Sequence, residues 1–508
     1  MTERFGVSDW KKYVPVPVDD EHPEYLEFYY KTWELAFNHI KNVPGMPQNP
    51  YMDEAFCATQ LWIWDSCFMS LFCKFCPEVF PGVETLDNFY SALYEGKRFP
   101  TIITPQDEPS WTGAAPGEPF EIKLHIADNP PLFAWAEYEN ALIKGDREHL
   151  KRLLYEKKYL QKHYDWFENL REPEKRDNWS NPTCAVSEEC GYRWEGGRSG
   201  MDNTPRGRTG EHALKNRPNN PDLMWIDLIC QQALAAKTIA GLYRIMDDED
   251  GAAPWDERYL RKKELINALY RDENDGFYYD IDRNTHGFVK VKTIASYWAL
   301  TCGAADGKLA ESLVNMAEDP NTFGGAVPLV SLSRDDADFG TGGKYWRGAL
   351  WLPTAYAALK GFIQYGYADE ARAAAEKIVR HMYRTYADYE PHSVWECYDP
   401  DKCRPGTQVD GKNIVRSDFC GWSALGPIAI YLEFALGFNR IDAFTNTVCW
   451  AKPDVKGKVG IRNLKFGSVV TDITAEGNTC TVISDGEYTL IINEKPYRVK
   501  PGVNRFIL

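Results

Sequence analysis

From residue 51 to residue 438 the apolar side chains return at intervals of three and four, and after residue 441 that spacing stops. A three-to-four spacing puts apolar groups on one stripe of a helix, so this long stretch buries its hydrophobic surface by packing helix on helix. Residues 132–138, 223–244, 354–365 and 368–386 carry the pattern most clearly. Long loops rich in Gly, Pro, Asn and Asp separate them, at 169–221, 321–345 and 387–417. Loops of that length in a compact domain are commonly functional, and these are dense in Trp, Arg and acids. Residues 441–508 read differently. Short β-branched runs such as Cys480-Thr481-Val482-Ile483 and Tyr488-Thr489-Leu490-Ile491-Ile492 are divided by turn signals such as Asp485-Gly486, the pattern of a small antiparallel β-sandwich. Residues 1–50, rich in Pro and aromatics, read as a lead-in that packs on the helical domain and ends in a helix over about 23–41. The expected organisation is therefore mainly α: a lead-in (1–50), a many-helix domain (51–440) and a small antiparallel β domain (441–508). Many helices with functional loops gathered at one end suit an (α/α)6 barrel of paired inner and outer helices.

A chain of 508 residues has room for one large barrel and one small domain. Its formal net charge of −16, with Lys and Arg scattered, argues against nucleic acid or an anionic membrane as partner. The first residues lack a basic start followed by an apolar run, and no run of about 18 apolar residues occurs. No signal peptide or membrane span is therefore expected, and a cytoplasmic location is. The 13 cysteines are scattered in mostly apolar context, which reads as reduced buried thiols. Cys73 and Cys76 form a C-x-x-C pair, but no second ligand pair at zinc spacing accompanies it. Aromatic residues make up 14% of the chain, with 17 Trp and 29 Tyr. Such rings build cores, and they also stack on the apolar faces of sugars.

Four segments carry candidate chemistry. Trp62-Ile63-Trp64-Asp65 offers ring platforms and a carboxylate, or equally core tryptophans and a helix-capping Asp. Ser199-Gly200-Met201-Asp202-Asn203-Thr204-Pro205-Arg206 sets a carboxylate in a Gly/Pro-rich loop with Arg198 and Arg206 on its flanks; an isolated Asp-Asn pair there would usually be an Asx turn. Tyr345-Trp346-Arg347-Gly348 puts an arginine beside aromatic rings, as a cation–π device or as a clamp. Trp395-Glu396-Cys397-Tyr398-Asp399-Pro400, followed by Phe419-Cys420-Gly421-Trp422-Ser423, surrounds Glu396 with aromatics. A desolvated carboxylate is costly unless it has a task. Together the segments meet the needs of glycosidic cleavage: one carboxylic acid protonates the leaving oxygen, and in the inverting version a second carboxylate draws a proton from water.

In type, order and spacing these segments resemble the inverting α-glycosidases of glycoside hydrolase family 63, whose clan includes the trehalases. Over roughly 50–435, Trp62-Ile63-Trp64-Asp65 is similar to a W-x-W-D segment, and Asp128-Asn129-Pro130-Pro131-Leu132 to a helix start in which Asn129 replaces the usual Gln. Ser199–Pro205 resembles S-G-x-D-N-S-P, Tyr345–Gly348 resembles Y-W-R-G, and Phe419–Ser423 resembles F-x-G-W-[ST]. The resemblance implies an (α/α)6 barrel, inversion, and no organic cofactor, with Asp202 as general acid and Glu396 as general base. It implies an exo-acting enzyme of α-glucosidase type on a small oligosaccharide or glycoside. Trp62, Trp64, Asp65, Asn129, Asn203, Arg206, Tyr345, Trp346, Arg347, Trp395 and Trp422 are expected to hold the substrate. Cys397 stands where Asn or another small polar residue is common, and a further departure bears on substrate identity: Arg198 stands where Glu is frequent. Some relatives hold a structural calcium, but no clear calcium loop is visible here and no metal site is expected. Two other readings compete. One is a sugar isomerase, epimerase or polysaccharide lyase on the same barrel, using His or Tyr; this chain has 9 His, with His125, His212 and His392 near the motifs. The other is a non-catalytic carbohydrate-binding protein. The sequence says nothing of oligomeric state.

Overall fold

The computed structural model describes residues 9–44, 46–53, 60–91, 102–103, 129–170, 185–194, 196–207, 213–214, 217–218 and 222–508. Burial sorts the helices into two kinds. Ile63–Cys73 is buried at every position, as is Leu425–Ala435, whose backbone takes wide π-type turns. Ile226–Ile245 and Leu352–Gln364 are buried around nearly their whole circumference. A helix apolar on all sides has to be surrounded by protein. Ala368–Asp388 is different: its buried residues are Ala371, Ala374, Ala375, Ile378, Val379, His381, Met382 and Thr385, one stripe at three-to-four spacing. Gly307–Glu318 buries a similar single stripe.

The enclosed helices are neighbours in sequence order. Ile63–Cys73 packs on Phe133–Lys144, that on Ile226–Ile245, that on the short Trp298–Thr301, that on Leu352–Gln364, and that on Leu425–Ala435, which returns to Ile63–Cys73. One-faced helices lie outside this succession: Gly82–Ser91 on the first member, Glu249–Leu265 on Ile226–Ile245, and Ala368–Asp388 against the last two. The C-terminal halves of four enclosed helices are tied together by buried charge. Lys74 meets Glu139 at 3.1 Å and Glu433 at 2.9 Å, and Lys360 meets the same two carboxylates at 2.8 and 3.3 Å. The N-terminal ends, near Trp64, Trp351 and Trp422, carry the loops of the site described below.

The C-terminal region forms two sheets, as the β-branched runs predict, with two corrections. The strand Thr447–Trp450 runs parallel to Tyr488–Ile492, so the region is mixed and not wholly antiparallel. The lead-in also belongs partly to it: Val16–Asp19 pairs antiparallel with Lys458–Phe466, as an edge of the five-stranded sheet. The lead-in helix, Tyr25–Asn38, packs against Leu425–Ala435. Among the described residues no helix is long and apolar enough to cross a membrane.

Candidate active site

Glu396 is 1% exposed, in a loop fixed by isolated bridges. Trp395 bridges Ser417, Leu350 bridges Tyr398, and the Glu396 amide donates to the Arg416 carbonyl at 3.0 Å. Two donors converge on one carboxylate oxygen. The Tyr345 hydroxyl reaches Oε1 at 2.7 Å and Arg416 Nη1 reaches it at 3.3 Å. Oε2 is buried with no hydrogen-bond partner among the described residues. Burial pushes the Glu396 pKa up; Arg416 and the Tyr345 hydroxyl oppose this, and the negative charge of Asp202 adds to the rise.

Tyr345 is aimed by a strained turn. Lys344 and Tyr345 both have positive φ, 39° and 63°, a conformation non-glycine residues keep only when their surroundings impose it. Here the Tyr345 amide donates to the Thr407 carbonyl at 2.8 Å, and the Asn203 side chain spans the turn, donating to the Lys344 carbonyl at 3.0 Å and accepting from the Trp346 amide at 2.8 Å.

Asp202 is partly exposed in a turn whose neighbours on both sides are buried. Arg347 Nε donates to the Asn203 carbonyl at 3.0 Å while its Nη1 reaches Asp338 at 3.3 Å. Gly200, at φ +81°, lies flat on Trp64; a Cβ there would sit 3.0 Å from the indole ring, so a side chain would lift the Asp202 turn off its platform. Asp65 is in the first turn of Ile63–Cys73 and 6% exposed. Burial raises its pKa well above the usual carboxylate range, and the charges of Glu396 and Asp202 raise it further. Three carboxylates from three distant stretches of chain thus act on one another, with Tyr345 and Arg416 among them.

The expected binding residues divide. Trp64 and Trp422 are nearly buried beside the carboxylates, and Trp422 Nε1 donates to the Glu396 carbonyl at 2.8 Å. Trp62 caps the helix that carries Asp65 and is partly exposed. Trp395 is 5% exposed, with Nε1 unpartnered among the described residues. Asn129 donates to the Arg198 carbonyl at 3.3 Å, and its own Oδ1 is unpartnered among the described residues.

Three expectations are corrected. Arg206 is fully buried and grips Asp227 and Asp280 through Nε, Nη1 and Nη2 at 2.7–2.9 Å, with its guanidinium 4.2 Å from the Trp225 ring centre. It anchors the Asp202 loop from below and has no free edge for a sugar. Trp346 is 1% exposed and stacked on Trp351 at 4.0 Å, so its faces are used within the protein. Asn203 has both ends of its amide engaged in the Tyr345 turn. Arg416 was not anticipated; its only signal is an arginine two positions before Asp418. Among the described residues no group of three or more His, Cys, Asp or Glu side chains is arranged to hold a metal. His125, His212 and Asp128 lie outside the described residues.

The profile of the "Mannosylglycerate hydrolase MGH1-like glycoside hydrolase domain" matches residues 58–413. The chain belongs to that family. Among curated proteins, the mannosyl-oligosaccharide glucosidase of Saccharomyces cerevisiae is 26% identical over 293 residues, covering 52% of this chain and 33% of that one. The mannosylglycerate hydrolase of Rubrobacter radiotolerans is 30% identical over 162 residues, 31% of this chain and 35% of that one. The solved structure of the GH63 mannosylglycerate hydrolase from Thermus thermophilus, in complex with Tris and D-glycerate, aligns with a TM-score of 0.59 at 18% identity, over 79% of this chain and 99% of that one. At that identity the likeness concerns the fold. The chain spans 66%, 33% and 54% of the lengths of three of its curated relatives.

Proposed function

We propose that this protein is an inverting, exo-acting α-glycoside hydrolase of α-glucosidase type, acting on a small oligosaccharide or glycoside within an (α/α)6 barrel. The barrel reading is supported by the succession of six enclosed helices that returns to its start, with one-faced helices outside it. One observation carries the functional reading: Glu396 is buried with Oε1 held by Tyr345 and Arg416 while Oε2 has no partner among the described residues. An oxygen with no partner among the described residues, on a carboxylate whose other oxygen is fixed, suits a general base that takes a proton from water. Asp202 supplies the general acid. Carboxylates that repel one another resist complete ionisation, so the cluster retains a proton for the leaving group. Asp65, beside Trp64, takes hydroxyl hydrogen bonds and offsets the positive charge that develops on the sugar. Acid, base and water suffice for this reaction, so no organic cofactor is invoked.

The test is a panel of α-linked disaccharides and α-glycosylated small acids, with the first-formed product anomer followed by NMR. Inversion releases the β-anomer first. Release of the α-anomer would overturn inversion, and products that form without incorporation of solvent oxygen would indicate a lyase or isomerase instead.

A further inference from the structure

A cavity of about 580 Å³ lies at the other end of the enclosed helices, away from the carboxylate cluster. Its walls come from Phe133–Lys144, Ile226–Ile245 and Leu352–Gln364, with Arg440, Phe444 and Thr445 across its mouth. That is the size of a small-molecule site. Its charge is opposite to that of the protein: Arg147, Lys237, Arg244, Lys360 and Arg440 line it against three carboxylates, Glu139, Asp247 and Asp442, in a chain of net charge −16.

Among the described residues the pairing leaves one lining cation over. Asp247 is taken by Arg147 at 3.0 Å, Asp442 by Arg440 at 2.9 Å and Glu139 by Lys360 at 2.8 Å. Arg244 turns to Glu249 and Asp256, which are not part of the lining. Lys237 has neutral partners: Gln364 Oε1 at 2.6 Å, the Cys302 carbonyl at 3.3 Å and the Tyr259 ring, whose centre is 5.8 Å from Nζ. An ammonium has three donors, so one is left for a ligand. Burial also lowers the Lys237 pKa, a cost that an arriving anion would offset. The lining also includes Trp135 and Tyr138, the latter with a hydroxyl that makes no hydrogen bond among the described residues.

We propose that this cavity is a second ligand site, separate from the catalytic cluster, for a compact anionic group carried on a small polyol, with Lys237 as the anion's contact and Tyr138 facing the hydroxyls. Sugar phosphates and hydroxy acids share that chemistry. The experiment is calorimetric titration of the full chain with glucose 6-phosphate, with D-glycerate and, as the neutral control, with glucose. Each is measured on the native protein, on Lys237→Met and, in case that variant fails to fold, on Arg440→Gln at the exposed mouth. The phosphate and glycerate arms tell the two sources apart. The expected result is an anion-dependent binding event that weakens about tenfold or more in Lys237→Met and by a smaller factor in Arg440→Gln, with kcat/KM measured without the anion unchanged. Equal binding by native protein and variants, or no anion binding beyond that of glucose, would overturn the proposal.

Discussion

Tyr345 and Arg416 share one oxygen of Glu396, and their removal has a defined sign. Both hold the Glu396 pKa down against burial. Tyr345→Phe and Arg416→Gln should therefore move the acid limb of the kcat/KM profile to higher pH, because Glu396, the proposed base, then gains its proton sooner. Losing a hydrogen bond to a charged group costs about 1.5–3 kcal/mol, so kcat/KM should fall about ten- to a hundredfold. Profiles that keep the native limb would show that neither residue tunes the base. The limb belongs to the coupled cluster of Asp65, Asp202 and Glu396 rather than to one residue. At this scale the sequence was legible in kind more than in direction. The motif segments do meet in one place, but a motif does not say which of its side chains face the cleft. Arg206 and Trp346 look like ligand-holding residues in sequence and serve the fold, since an arginine held between two buried aspartates reads the same as one waiting for substrate. Arg416 lies outside any quoted motif and is brought in by the bridge between Trp395 and Ser417.

Two buried arrangements hold the elements that carry Asp202 and Glu396. Arg206 ties the Asp202 turn to Asp227, in the first turn of Ile226–Ile245, and to Asp280. Arg206→Met leaves two buried carboxylates uncompensated, and breaking such a group costs about 3–5 kcal/mol. Denaturant unfolding should register that loss, and a change below about 0.5 kcal/mol, the range of ordinary surface substitutions, would contradict the anchoring role. On the other side, His381 of Ala368–Asp388 packs on Tyr398, two residues from Glu396, and is 3% exposed. Burial lowers its pKa from 6.5 to about 4, although Asp399 pulls it upward. The folded protein thus prefers neutral His381, whereas the unfolded chain binds the proton below about pH 6.5. Its contribution is complete above that pH, declines as pH falls and levels off near pH 4, a loss of about 3 kcal/mol. His381→Phe should lack this component of the stability–pH curve; identical curves would contradict it. The helices themselves were plain in the sequence, because three-to-four apolar spacing is a local signal. The bridges that shape the Glu396 loop were not, because each joins residues far apart in the chain.

For the whole molecule, the boundary between helical and β regions was visible where β-branched runs replace helical spacing. The place of Val16–Asp19 was not, since its partner strand lies more than 400 residues away. That edge strand is a structural commitment. Val14, Val18 and Trp10 are buried with it, and Asn463 donates to the Lys12 and Val14 carbonyls at 3.0 and 3.1 Å. Deleting residues 1–21 should lower stability by at least about 3 kcal/mol, at about 1.5–3 kcal/mol for each large apolar side chain removed from the interior. Unchanged thermal unfolding would mean that the strand adds nothing.

Asp202 and Glu396 are proposed to divide the work of acid and base, and one comparison separates the two roles. Asp202→Asn and Glu396→Gln are each assayed on an α-glycosyl fluoride, whose leaving group needs no proton, and on the matching natural α-glycoside. Asp202→Asn should keep far more activity on the fluoride than on the glycoside, while Glu396→Gln should be crippled on both, because water still needs its base. The reverse pattern would exchange the two roles, and near-native rates for both variants on both substrates would remove the pair from the chemistry.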